Sequence, residues 1–181
     1  MSNDDEFLKA AEVGDTARVC DLLDQVVQVD VINKNGETAL MLASIAGHKE
    51  IVKLLIGKGA DVNKYSMTKW NALCFAATRN HYDVVECLIE AGADINALCQ
   101  NDCTVLEWVI RQQDNRKSMV RTLLDFGAEI RQRTLEIAKI NSEDEILILL
   151  KNFYKEPFPS VESSHNTKTD NKKAWWKFWL K

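Results

Sequence analysis

The chain lacks most of the features that would name a function outright. No apolar run approaches the ~18 residues a membrane-spanning helix needs. The opening MSNDDEFLKAAEVGD is acidic, with no basic start followed by an apolar stretch, so no secretory leader is expected. There is no Gly-x-Ser-x-Gly, no phosphate-cradling glycine loop and no His-Glu-x-x-His, which removes the common hydrolase, nucleotide and zinc-peptidase patterns. Five cysteines, Cys20, Cys74, Cys87, Cys99 and Cys103, form an odd count without a Cys-x-x-Cys pair. That usage predicts free thiols in a reducing, cytoplasmic setting. Cys99 and Cys103 flank one finger loop with Asp102 between them, but the spacing lacks a second ligand pair, so no metal or cofactor is expected. No nucleophile, base or metal set converges, and the chain does not read as an enzyme.

Charge divides the chain in two. Residues 1–154 carry 17 Lys+Arg against 24 Asp+Glu, giving -7, whereas residues 155–181 carry 6 against 3, giving +3. The acidic body has no uniform basic face, so no nucleic-acid partner is expected. With 181 residues, 46% of them apolar, one domain and a tail are predicted.

What is present is repetition. Leu40, Leu73 and Leu106 stand 33 residues apart, and the text around them recurs as TALMLASIAGHKEIVKLLIGKGADVN, NALCFAATRNHYDVVECLIEAGADIN and TVLEWVIRQQDNRKSMVRTLLDFGAEI. Within a copy, Leu40, Leu42 and Ala43 are followed by Ile51, Val52, Leu54 and Leu55, two short groups at helical spacing separated by the Gly47-His48 corner. Each group is too short to fold alone. Gly-Ala-Asp-Val-Asn then supplies a glycine suited to a left-handed helix cap. Two antiparallel helices and an extended loop are predicted per copy.

This pattern resembles the ankyrin repeat, G-x-T-P-L-H-x-A-A-x-x-G-H-x-x-[VI]-[VI]-x-L-L-L-x-x-G-A-D-V-N. The copy from Gly36 to Asn63 matches at Gly36, Thr38, Leu40, Ala43, Gly47, His48, Ile51, Val52, Leu54, Leu55 and the whole of Gly59 to Asn63. The resemblance implies an all-α solenoid of five helix pairs over residues 1–153. Its units run over about 4–35, 36–68, 69–101 and 102–131, with a cap at 132–153 that lacks room for a finger loop. His48 and His81 take the family's structural corner. Departures also matter: Thr-Pro-Leu-His becomes Thr38-Ala39-Leu40-Met41, Asn71-Ala72-Leu73-Cys74 and Thr104-Val105-Leu106-Glu107, which keeps the cap oxygens but loses the histidine network. The turn glycine survives only at Gly36, becoming Lys69 and Asp102. Val85 to Val120 is 35 residues rather than 33, so Gln112 to Ser118 should bulge into solvent.

The resemblance further implies a protein-interaction module, with fingers and first helices forming a concave binding surface. Carried across by motif, its variable positions are Lys34, Asn35, Glu37 and Ile45; then Met67, Thr68, Trp70, Thr78 and Arg79; then Gln100, Asn101, Cys103, Arg111 and Gln112. Trp70 falls beside a finger turn that the fold leaves exposed, which reads as an interface anchor; local packing over Tyr65 or a neighbouring finger is the alternative. Trp108 takes the slot of Leu42 and Phe75 and reads as core.

After Tyr154 the pattern stops. Residues 154–173 read as a flexible linker, and residues 174–181 place three of the five tryptophans within the last seven positions. If helical, Lys173, Lys177 and Lys181 share one stripe and Trp175, Phe178 and Trp179 another, with Trp176 alongside. Three readings stay open: a peripheral membrane contact, a docking peptide for a partner, and a segment that folds back onto the stack. Proteins of this build resemble both eukaryotic adaptors and secreted effectors of intracellular bacteria, so a membrane-peripheral adaptor is the alternative function.

Overall fold

Helix starts are set by side-chain oxygens one residue before the position where the family has proline. Thr38 accepts a hydrogen bond from the Met41 backbone N–H, Asn71 from Cys74 and Thr104 from Glu107, at 3.3, 2.8 and 3.3 Å. In the computed structural model, which describes residues 2–25, 28–112, 116–140 and 144–153, ten α-helices form five successive pairs. They are α1 (Asn3–Val13) and α2 (Thr16–Leu23), α3 (Ala39–Ala46) and α4 (Lys49–Gly57), α5 (Ala72–Thr78) and α6 (Tyr82–Glu90), α7 (Val105–Arg111) and α8 (Lys117–Asp125), and α9 (Gln132–Ile140) and α10 (Asp144–Phe153). First helices pack in series from α1 to α9. The linker at 154–173 and the tryptophan-rich residues 174–181 lie outside the described residues.

Two ladders carry the core. Phe7, Leu40, Leu73 and Leu106 line up through the first helices, and Leu22, Leu55, Leu88 and Leu123 through the second; all eight are buried. The last step of the second ladder is 35 residues because of the insertion in the fourth unit. Between units, Asn63 Oδ1 accepts the Asp94 N–H and Asn96 Oδ1 the Glu129 N–H, both at 2.9 Å, so one loop holds the next.

The corners behave as their sequence implies. The His48 ring packs over Gly14 with Nε2 3.1 Å from the Glu12 carbonyl, and His81 packs over Gly47 with Nε2 3.0 Å from Ile45. A Cβ on Gly47 would come within 2.5 Å of the His81 ring, and its φ of +79° is left-handed, so glycine is required there twice over. In the fourth unit the expected solvent bulge is only part of the story. Arg116 is buried, and its Nη1 donates to the Thr78 carbonyl at 2.7 Å. Glu12, Ile45 and Thr78 are equivalent positions, so Arg116 does the histidine's work from two residues further along.

The finger turns keep the glycine conformation without the glycine. Gly36, Lys69 and Asp102 have φ of 73, 60 and 54°. A left-handed lysine is strained by about 1 kcal/mol. Lys69→Gly is therefore expected to raise stability by roughly 0.5–1 kcal/mol in urea unfolding; a loss would mean that the lysine side chain makes a stabilising contact. The cap Asn71 also carries a defect, because its Nδ2 is buried with no hydrogen-bond partner. Asn71→Thr keeps the cap and removes the orphan donor, so a gain of about 1 kcal/mol is expected. An unchanged midpoint would contradict that reading.

Candidate binding surface

The surface is assembled from the finger loops and the adjoining turns of the first helices. Fingers at 33–37 and 99–103 are closed by the bridges Ile32–Thr38 and Leu98–Thr104. In the middle finger the Ser66 N–H donates to the Trp70 carbonyl at 2.8 Å. Successive fingers are tied together: the Met67 N–H donates to the Asn35 carbonyl at 3.0 Å, and Trp70 Nε1 lies 3.5 Å from Gln100 Oε1. The third finger is held from the other side by Arg133, whose guanidinium reaches the Asn101 and Asp102 carbonyls at 3.3 Å each. The fingers are thus fixed relative to one another before any ligand arrives, which lowers the ordering cost of binding.

At their root stands an aromatic cluster. Trp70 packs on Phe75 and on Trp108, with ring centroids 5.2 and 5.3 Å apart, inside the range at which tilted aromatic pairs attract. Trp108 Nε1 donates to the Gln100 carbonyl at 3.1 Å. This corrects two expectations. Trp70 is half-buried rather than a free-standing exposed anchor, because Trp108 rises from the next helix to meet it. Trp108 is likewise half-buried rather than core, because its slot borders the finger root. Phe75 was not singled out in sequence; its signal is its place in the Leu42–Phe75–Trp108 register, where residue size grows along the stack.

The other predicted positions divide by accessibility. Lys34, Asn35, Thr68, Arg79, Gln100, Asn101 and Arg111 are exposed, and Met67 is the most open large apolar residue near the cluster, at 74%. Ile45, Glu37 and Gln112 are half-buried; Glu37 accepts from Asn33 and Asn35, and Gln112 from Arg116. Thr78 and Cys103 leave the surface. Thr78 is buried with its hydroxyl donating to the Cys74 carbonyl at 2.8 Å, and Cys103 is buried with Arg133 Nη2 3.3 Å from its sulfur. Both point along the inner side of their element, which repeat register alone did not separate from the outer side. Beside the cluster, an open cleft between finger tips is lined by Met67, Thr68, Lys69, Gln100, Asn101 and Asp102.

Cysteine placement also differs from expectation. Cys74 and Cys99 are joined as a disulfide across 25 residues of sequence, whereas Cys20, Cys87 and Cys103 are free. Stacking brings a first-helix position against the root of the next finger, a pairing that no local cysteine spacing reveals. Burial pushes the Cys87 thiol up, so it is a poor nucleophile at neutral pH. Among the described residues, no group of three or more His, Cys, Asp or Glu side chains is placed to hold a metal. None of their helices is long and apolar enough to cross a membrane.

A family model described as ankyrin repeats (3 copies) matches residues 7–99 and 68–134. Similar curated proteins include the ankyrin repeat and SAM domain-containing protein 6 of Danio rerio, 37% identical over 60 residues, which are 33% of this chain and 8% of that protein. An ankyrin repeat protein of fowlpox virus is 42% identical over 59 residues, 32% of this chain and 14% of the relative. The ankyrin repeat protein YahD of Escherichia coli is 36% identical over 66 residues, 36% of this chain and 33% of the relative. In each case the match spans a third or less of the relative's length.

Proposed function

This chain belongs to the ankyrin-repeat family, whose members are in general protein–protein interaction modules, and from that premise we propose that it binds a protein partner through its fingers and the adjoining turns of α5 and α7. The observation that carries the proposal is the Trp70–Phe75–Trp108 cluster, half-open and framed by interlocked fingers. Rigid, partly exposed aromatics are the usual anchors of interfaces, since they bury large area with little side-chain entropy to lose. Nothing in the stack itself needs that cluster to remain half-open. The family is typically non-enzymatic, and a binding role without catalysis fits the surface. The tryptophan-rich segment 174–181 supports no second reading from the described residues.

The test is affinity capture from cell lysate with quantitative mass spectrometry, using the intact chain, Trp70→Ala and a chain ending at Tyr154. A partner lost with Trp70→Ala and kept by the shorter chain supports the finger face. A partner kept by Trp70→Ala and lost from the shorter chain assigns recognition to the tail instead. Because Trp70 supports two aromatic neighbours, Trp70→Ala also costs about 1–3 kcal/mol of folding stability. Folding of the variant is therefore checked alongside.

A further inference from the structure

The charge of the finger face is opposite to that of the body. Residues 1–154 sum to -7 (17 minus 24), yet Lys34 and Lys69 stand on exposed finger turns and Arg79 and Arg111 at the exposed ends of α5 and α7. Against these four cations the same surface offers Glu37, already accepting from two asparagines, and Asp102. Among the described residues, neither Arg79 nor Arg111 has an ion-pair partner. A general need to offset the helix dipole does not explain them, because α1 and α3 have no basic residue in the last turn.

Helical spacing then fixes the pattern a ligand meets. Phe75 on α5 and Arg79 at its C-terminal cap are four apart, and Trp108 and Arg111 three apart on α7, so each arginine lies about 5–6 Å along the helix face from its aromatic neighbour. Guanidinium groups grip carboxylates with paired hydrogen bonds. Resting on the finger-face reading above, we infer that the partner presents an acidic segment: a bulky apolar side chain seated on Trp70, Phe75 and Trp108, with Asp or Glu about one turn away at Arg79 and Arg111. Charge argues against this chain's own residues 174–181 as the occupant, since Lys177 and Lys181 would meet like charge.

The experiment is selection of random linear peptides displayed on phage against the full chain. Affinities of the selected peptides are then measured for the wild type, Trp108→Ala and the double variant Arg79→Glu with Arg111→Glu. Selected sequences rich in Asp and Glu around an aromatic or leucine, weakened about tenfold or more by the double variant and weakened by rising salt, are expected. Apolar sequences without acids that lose affinity only with Trp108→Ala overturn the acidic ligand but leave the finger face standing. Selection of lysine-rich peptides resembling 174–181 overturns it in favour of the chain's own tail. Peptides indifferent to both variants, or no enrichment at all, overturn this inference together with the finger-face reading. Circular dichroism of each variant excludes unfolding as the cause of any loss.

Discussion

Replacing Arg131 by alanine is expected to remove about 3 kcal/mol of folding stability, with the last helix pair loosening first. The cause is Glu107, which stands where the family has a histidine and is completely buried. Its carboxylate accepts from Arg131 Nη2 at 2.7 Å and Nε at 3.2 Å, from the Thr134 hydroxyl at 3.3 Å and from the Thr104 N–H at 3.2 Å. The group thus caps α7 and clamps the start of α9 onto it. Without the guanidinium a charged carboxylate remains in the interior, a loss measured in buried pairs at ~3–5 kcal/mol. The Arg131 side chain is 35% exposed, so water replaces it in part and the lower end is expected. Adding Glu107→Gln to the Arg131→Ala chain removes the stranded charge while keeping an acceptor for Thr104, and should recover about half of the loss. Urea unfolding of the three chains checks this; a single-variant loss below about 1 kcal/mol would contradict the clamp.

The second large effect is expected at Leu55. It is fully buried in the middle of the outer ladder, with Leu22 and Leu88 as its equivalents in the flanking units. Leu55→Ala removes three carbons and leaves a cavity between rigid helices, which costs ~2–5 kcal/mol. Because stability in a repeat stack is carried by nearest-neighbour interfaces, the loss reaches the units on both sides. Its neighbour Leu54 is only half-buried, so Leu54→Ala should cost about 1 kcal/mol or less by the same thermal or urea measurement. Equal losses at the two positions would contradict the assigned register.

Much of this was legible from period alone. Spacing of 33 residues placed Leu40, Leu73 and Leu106 on one ladder, and the resemblance placed His48 and His81 at a structural corner, because both are set by positions within one repeat; the histidines' contacts with Glu12 and Ile45 of the preceding unit come from the structure. The features that escaped depend on contacts between repeats. Arg116 replaces a corner histidine only because a two-residue insertion moves the corner, and no periodic reading aligns an arginine with a histidine across a gap. Glu107 read as a missing histidine; its partner Arg131 lies 24 residues on, just before a cap with no finger. Trp70 read as exposed because its surroundings were judged from its own turn, whereas Trp108 covers it from the next helix. Thr78 and Cys103 were carried to the surface by register, which fixes the element but not the direction of a side chain at its end.

The most direct test of the binding face is hydroxyl-radical footprinting of the intact chain, free and saturated with its captured partner. Met67, Trp70, Phe75 and Trp108 should lose reactivity on binding, while Phe126, exposed at the end of the outer helix α8, should keep it. Unchanged oxidation of Met67 and Trp108, with protection at Phe126, would contradict the account and move the partner to the outer helices.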